Sequence, residues 1–366
     1  MSMVASAVTK LERRGGRLLL TGHVRRDEIH GPPPPIALRL SGKTVCQTAL
    51  VCEGALKPNV WSFRFVLAPD LEGVLAERSD VSVVVGAAEI PFADAARAAR
   101  STLAEAPGRV EDVLAKLSDG FVLTSHGDLS EPLASRGSGL GAILDHYERC
   151  DELAHEILGV RLHVVGGTLL GAAREGGCLA HDVDFDAAYL SGARDAEALR
   201  VEFLCFLREL ARRGENVRLV NKNGQIRRRH FKWRSRPATR GDAGPAHIDV
   251  FPAYIDREGF YCRPTFVRIP DGERLVLPLR RAAFSGREVW APARMEEKAA
   301  AVFGEGWRTP DPFWRKPKFP GIEAALAGLR LGDDELLQLA AAMPARPAEE
   351  LRSALSGQRT ADKAAP

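Results

Sequence analysis

At 366 residues, and at about 150 residues per domain, the chain has room for two domains and exceeds one small module. Hydrophobic residues make up 45% and charged residues 27%, which excludes a chain disordered throughout. A net charge of +3 excludes a protein that wraps nucleic acid over its whole surface, so any anion site has to be local. No apolar run reaches the ~18 residues of a membrane span, and the start, MSMVASAVTKLERRGG, lacks a secretory signal's apolar stretch and cleavage site. A cytoplasmic protein is expected. The six cysteines (Cys46, Cys52, Cys150, Cys178, Cys205, Cys262) form no C-x-x-C pair and no zinc spacing, so they read as buried thiols.

Residues 1–92 alternate short apolar runs with turn residues (GRLLLTGHV, IALRLSG, KTVCQTALVC, WSFRFVLA, VSVVVG) and predict an antiparallel β-sandwich. The four prolines from Pro32 to Pro35 cannot supply ladder donors and fall between strands. No catalytic cluster is visible here, and an accessory role is expected: either packing alone or contact with a glycan. Residues 93–136 turn to Ala, Arg and Glu and predict a helical linker.

A second module is expected over 137–332. Leu140, Ile143, Leu144, Tyr147, Cys150, Leu153 and Ile157 recur at helical spacing and predict a helix to about Gly159. It should cover the sheet opened by the strand VRLHVVGG. A helix over DAEALRVEFLCFLRELARRG follows, then strand candidates NVRLVNK, GQIRRRHFKW, HIDVFPAYI and GFYCRP. The mixed order gives an α+β fold class. Residues 333–366 are expected to form one short helix and a disordered tail.

The chemistry concentrates between Val164 and Tyr189. A strand runs into Gly166, Gly167 and Thr168, and about 16 residues later Asp182, Asp184 and Asp186 stand at alternate positions. In an extended segment the side-chain period is two, so the three carboxylates would share one face while Val183 and Phe185 point into the core. Carboxylates this close repel one another, and a hard divalent cation, Mg²⁺ or Mn²⁺, would neutralise them. Without a cation the same pattern is a solvated acidic edge. The paired glycines allow backbone amides to approach a phosphate, and Thr168 adds a hydroxyl.

These motifs resemble the LicD family and its fukutin-related relatives, of the nucleotidyltransferase-fold superfamily. The family pattern G-G-T-L-L-G-A-x-R, a glycine loop and W-D-x-D-x-D is similar to Gly166–Arg174, Gly176-Gly177 and His181-Asp182-Val183-Asp184-Phe185-Asp186. Its later strand h-h-D-h-F/W-P is similar to His247-Ile248-Asp249-Val250-Phe251-Pro252, and its close Y-G-x-x-W-x-T-P to Phe303-Gly304-Glu305-Gly306-Trp307-Arg308-Thr309-Pro310. His181 replaces the usual Trp, and Val183 stands where many members carry a polar residue. The resemblance covers most of the second module and none of the first.

It implies a nucleotidyltransferase-like mixed-sheet α/β catalytic domain after the sandwich. It also implies transfer of phosphocholine or an alditol phosphate from a CDP-activated donor to a sugar hydroxyl, releasing CMP. The acceptor would be an oligosaccharide or polysaccharide, lipid-linked in one form of this reading, which would bring the protein to the inner membrane face and a glycan synthase complex. No nucleic acid partner is expected. Asp184 and Asp186 are the expected principal metal ligands and Asp182 a ligand or their neighbour. Asp249 either completes the metal site or takes the acceptor's proton. Arg174 is a candidate for a donor phosphate, or a surface Arg paired with Glu175. Arg308 is a candidate for donor or acceptor, and Trp307 either packs under the site or touches a ligand.

From Arg208 to Arg240 there are twelve Lys or Arg against two Glu. Arg227 and Arg229 would share one face of a strand there, and that face could meet phosphate. Two other functions remain open at this level: a nucleotidyltransferase moving NMP from NTP to a small molecule, and an inactive glycan-binding scaffold.

Overall fold

The computed structural model describes residues 6–14, 17–25, 36–48, 50–52, 60–76, 80–103, 107–123, 129–133, 138–179, 182–221, 224–235, 246–265, 267–309 and 317–364. Pro32–Pro35, His181 and Pro310 lie outside them. The chain forms two compact units, one drawn from residues 1–135 and one from 136–309 and 316–366.

The first unit is a pair of four-stranded antiparallel sheets. Its strands are β1 (Ala7–Arg14), β2 (Arg17–Arg25), β3 (Ile36–Leu40), β4 (Lys43–Thr48), β5 (Val51–Cys52), β6 (Val60–Leu67), β7 (Val81–Val85) and β8 (Ala88–Ile90). They order as β1-β2-β6-β5 and β4-β3-β7-β8. Alternate residues such as Leu18, Leu20, Leu38, Leu40, Phe63, Phe65, Val83 and Val85 bury into one core between the sheets. Helices α1 (Asp94–Ser101) and α2 (Pro107–Ser118) follow, then a small hairpin of β9 (Val122–Leu123) and β10 (Leu129–Ser130). Ala96 of α1 and Val113 of α2 are buried in the sandwich core. The 93–136 segment is therefore not a free linker: its apolar stripe is spent on the sandwich, which extends the first unit beyond residue 92.

The second unit contains α3 (Ser138–Leu158), β11 (Leu162–Val164), α4 (Gly166–Glu175), β12 (Asp186–Leu190), α5 (Ala196–Arg212), β13 (Asn216–Arg218), β14 (Phe231–Arg234), β15 (His247–Ile255), β16 (Tyr261–Arg263) and β17 (Val267–Ile269). After these come α6 (Gly272–Val276), the hairpin β18 (Leu279–Phe284) and β19 (Arg287–Pro292), α7 (Met295–Phe303), α8 (Ile322–Ala327), α9 (Asp333–Ala342) and α10 (Ala345–Ala364). The main sheet orders β11-β12-β15-β14-β13, with β16 and β17 continuing from β15. β12 and β15 run parallel and the other pairs antiparallel, so the sheet is mixed as expected. No helix among the described residues is long and apolar enough to cross a membrane.

The register divides the sheet into two faces. Leu162 pairs with Tyr189, Val250 with Ala187 and Phe231, and Ile248 with Trp233. These residues face α3 and α5, where Phe203, Phe206, Phe231 and Trp233 are fully buried and stack at 5.8–6.1 Å between ring centroids. Each buried aromatic stabilises the unit by about 1.5–3 kcal/mol relative to exposure. Tyr147 and Asp151 of α3 hold β11 through Tyr147 Oη donating to the Leu162 carbonyl (2.7 Å) and Leu162 N–H donating to Asp151 (2.7 Å). Asp195 starts α5 by accepting from Ala198 N–H at 2.9 Å.

The intervening residues point to the opposite face: His163, Asp186, Ala188, Lys232, Asp249 and Phe251. Sequence periodicity placed both Val183 and Phe185 in the core. Phe185 is buried against Tyr147 and Phe284, but Val183 is half-buried, because Asp182–Asp184 form a loop ahead of β12. The 333–366 segment also differs from expectation. It forms two helices, with Leu336, Leu339, Leu351 and Leu355 buried, and α10 continues through the expected tail to Ala364. Ion pairs Arg200–Glu335 and Arg218–Glu350 join it to α5 and β13.

Candidate active site

β12 and β15 are parallel neighbours, and their register sets Asp186 directly beside Asp249. The loop before β12 adds Asp184. One carboxylate oxygen from each of Asp184, Asp186 and Asp249 lies within 4.8 Å of the others. Burial, reinforced by Asp184 and Asp249, holds the Asp186 carboxyl well above the usual range, and Arg263 opposes the shift. Burial first and Asp184 second push Asp182 up to about 7. Asp182 lies outside the triad, beside Asp184, and its Oδ1 accepts from Val183 N–H at 3.1 Å.

The glycine turn expected from sequence is the first turn of α4, and it serves the carboxylates. Gly166 has φ +56°, and a Cβ there would collide with Asp186 Oδ2. A Cβ on Gly167 would come within 2.8 Å of Asp182 Oδ2. The absence of side chains is what lets the positive end of α4 sit against the acidic groups. Thr168 was expected as a phosphate contact. It is instead 1% exposed, and its Oγ1 accepts from the Asp186 N–H at 2.9 Å, so it locks the strand that carries the carboxylate.

Cations complete the face. Lys232 is the cross-strand neighbour of Asp249, with Nζ 3.2 Å from Asp249 Oδ2. Asp249 Oδ1 is buried without a hydrogen-bond partner among the described residues. That orphaned oxygen, within a triad of crowded carboxylates, is a donor set suited to a hard divalent cation. Arg263 is buried with its guanidinium 5.0 Å from the Phe251 ring, and His230 stacks on Phe251 at 4.9 Å. Burial pushes His230 down to about 4, against the pull of Asp249. Beneath them Lys298, 1% exposed, sits 4.3 Å from the Tyr261 ring. Burial and then Arg263 hold its amine well below its usual value.

Arg174, Arg308, Arg227 and Arg229 fall elsewhere. Arg174 is eight residues along α4 from Gly166, about 12 Å at 1.5 Å per residue, and pairs with Glu175 at 3.1 Å. Its side chain is largely buried, at 11% exposure. Arg308 lies over the Trp307 ring (4.4 Å) and pairs with Glu296, while Trp307 itself is buried. Arg227 and Arg229 do not share a strand face: the isolated bridge Val220–Ile226 ends before them and β14 begins at Phe231, so both lie in a loop lining a separate cleft.

Lys232 and Arg263 were not singled out from sequence as site residues. An Arg inside the short apolar strand YCR was a usable signal for Arg263. Lys232 belongs to the basic run that points to an anionic ligand, and only the strand register sets it opposite Asp249.

The first turn of α4 presents its glycines to Asp186 and Asp182, and Asp249 stands beside Asp186 on the parallel neighbouring strand of a mixed sheet. Residues 159–294 match the family model LicD/FKTN/FKRP, nucleotidyltransferase domain, and this segment of the chain belongs to that family. The match holds all four aspartates and stops short of the Phe303–Thr309 element. No curated protein matches the chain significantly.

Proposed function

We propose that the chain is a metal-dependent phosphotransferase that moves a phosphorylated alcohol, of the phosphocholine or alditol phosphate type, from a CDP-activated donor to a sugar hydroxyl of a glycan. The observation that carries this reading is the Asp184–Asp186–Asp249 triad with its unpartnered Asp249 Oδ1, facing the glycine turn of α4.

In the reaction the sugar oxygen attacks the phosphorus bearing the alcohol, and the bond from that phosphorus to the CMP bridging oxygen breaks. CMP leaves with the electron pair. Asp184 and Asp186 would hold Mg²⁺ or Mn²⁺, which supplies positive charge opposite the phosphoryl oxygens when bound. Lys232 holds Asp249 in place, and the Arg263 charge favours an ionised Asp186. Thr168 and the helix α4 terminus keep the Asp186 backbone from drifting. Asp249 has two candidate tasks, third holder of the cation or acceptor of the hydroxyl proton.

The test incubates the full chain with CDP-choline, CDP-glycerol and CDP-ribitol, each with a glycan acceptor and Mg²⁺, and measures CMP. Asp184→Asn is expected to lower CMP release by at least about a hundredfold. Asp249→Asn separates its two tasks: Mg²⁺ binding survives if it is the base and is lost if it is a ligand. Pyrophosphate release from an NTP, with no CMP from any CDP-alcohol, would overturn the proposal in favour of nucleotidyl transfer.

A further inference from the structure

On the sheet face that carries the triad, α7 sends Lys298 into a closed cluster whose amine and imidazole the chemistry above does not use. His163 of β11, Tyr261 and Arg263 of β16 and Lys298 are each at most 4% exposed. Lys298 Nζ, Tyr261 Oη and both ring nitrogens of His163 are buried without a hydrogen-bond partner among the described residues. Lys298 Nζ lies 4.3 Å from the Tyr261 ring, and the charge set against it is that of another cation, Arg263. His163 in turn faces both Lys298 and Arg263.

Three basic groups thus meet in the core, and burial favours the uncharged forms of His163 and Lys298. Buried polar atoms are normally paired, so this many orphans in one cluster call for a group that accepts hydrogen bonds. The closed surroundings restrict what can reach them. A phosphate or a carboxylate would have to shed its water to enter, whereas carbon dioxide is small and uncharged.

We propose that carbon dioxide carbamylates Lys298, and that the carbamate is the anion around which His163, Arg263 and Tyr261 gather. An uncharged amine is the nucleophilic form of lysine. Lys298 Nζ attacks the carbon of carbon dioxide, an N–C bond forms, and one C=O electron pair moves onto oxygen. The proton released from Nζ passes to a ring nitrogen of His163, so the cluster gains one carbamate, one imidazolium and no net charge. The carbamate oxygens then accept from the imidazolium, the guanidinium and Tyr261 Oη. Arg263 also acts on Asp186, which places the modification next to the metal triad. The inference does not depend on the phosphotransferase reading, since Lys298 and His163 take no part in it.

Carbon-13 NMR of the full chain in labelled bicarbonate tests this at constant pH, beside the same chain in buffer free of carbon dioxide. The parent should show one buried carbamate resonance per chain that Lys298→Met lacks, while any signal from exposed amines is common to both. His163→Leu removes the proton acceptor and should need at least about tenfold more bicarbonate for half occupancy. Bicarbonate should raise the thermal midpoint of the parent by about 2–4 °C and leave that of Lys298→Met unchanged. Lys298→Met puts an apolar side chain in an enclosed setting and should melt no lower than the parent without carbon dioxide, which separates a lost site from a lost fold. A parent with no such resonance would overturn the proposal and leave water as the partner of these atoms. Identical spectra from the parent and Lys298→Met would overturn it too, as would an equal bicarbonate requirement in His163→Leu.

Discussion

Gly166→Ala and Gly176→Ala form a matched pair that isolates the contact between α4 and the carboxylates. Both glycines have positive φ, +56° and +63°, so an alanine at either position is strained by about 1–2 kcal/mol. At Gly176 nothing lies within 4 Å of the new Cβ, and the cost ends there. At Gly166 the Cβ falls under 3.0 Å from Asp186 Oδ2, so the carboxylate or the helix has to move. Driving Asp186 off its rotamer adds about 0.5–1.5 kcal/mol, for a total of about 1.5–3.5 kcal/mol. At about 2–4 °C per kcal/mol for a unit of this size, Gly176→Ala should lower the thermal midpoint by about 2–8 °C and Gly166→Ala by a few degrees more. The larger contrast is in Mg²⁺ affinity by calorimetry: Gly166→Ala should lose at least about tenfold and Gly176→Ala nothing, since metal affinity falls steeply when ligand geometry is disturbed. Equal melting shifts with equal Mg²⁺ affinity would refute the close approach of the helix to Asp186.

Thr168→Val removes the acceptor for the buried Asp186 N–H and should destabilise by about 1–3 kcal/mol in urea unfolding, whereas Thr168→Ser retains the hydroxyl and most of the stability. Lys232→Met leaves Asp249 without its cation and should also destabilise, by about 1–3 kcal/mol. Adding Asp249→Asn should recover most of that, and strictly additive effects would show the pair to be energetically idle. His230 supplies a pH dependence. Its folded value of about 4 lies below the ordinary 6.5, so between these pH values the unfolded chain binds the extra proton. Stability is full above about 6.5 and is lost as pH falls towards 4, by at most about 3 kcal/mol from this group. His230→Gln should flatten that stretch of the stability-versus-pH curve, and an unchanged curve would count against burial of the neutral ring.

The strand alternation of the first unit, the α3 stripe and the D-x-D-x-D spacing were legible locally, because each is a period imposed on neighbouring residues by backbone geometry. The loop at Arg227–Arg229 was not. A basic run has the same alternation in a strand or a loop, and what ends the bridge at Ile226 is pairing with Val220, a partner outside the run. The 333–366 segment was misread for a similar reason. Its helices are held by Leu336, Leu339, Leu351 and Leu355 against the rest of the unit, and low local hydrophobicity hid that burial. Thr168 stood at the expected position with a different partner, since a hydroxyl next to glycines suits phosphate and backbone amides equally.

Residue order alone determined that four aspartates, a pair of glycines and a sandwich-like first module exist in this chain, because composition and periodicity are properties of neighbouring residues. Tertiary structure decided which of those aspartates meet. The parallel pairing of β12 with β15 brings Asp186 to Asp249 across 63 residues, and the antiparallel pairing of β14 sets Lys232 beside them. Such coincidences arise from strand register, which is chosen by burying Phe231, Trp233, Val250 and Tyr189 on the opposite face of the sheet.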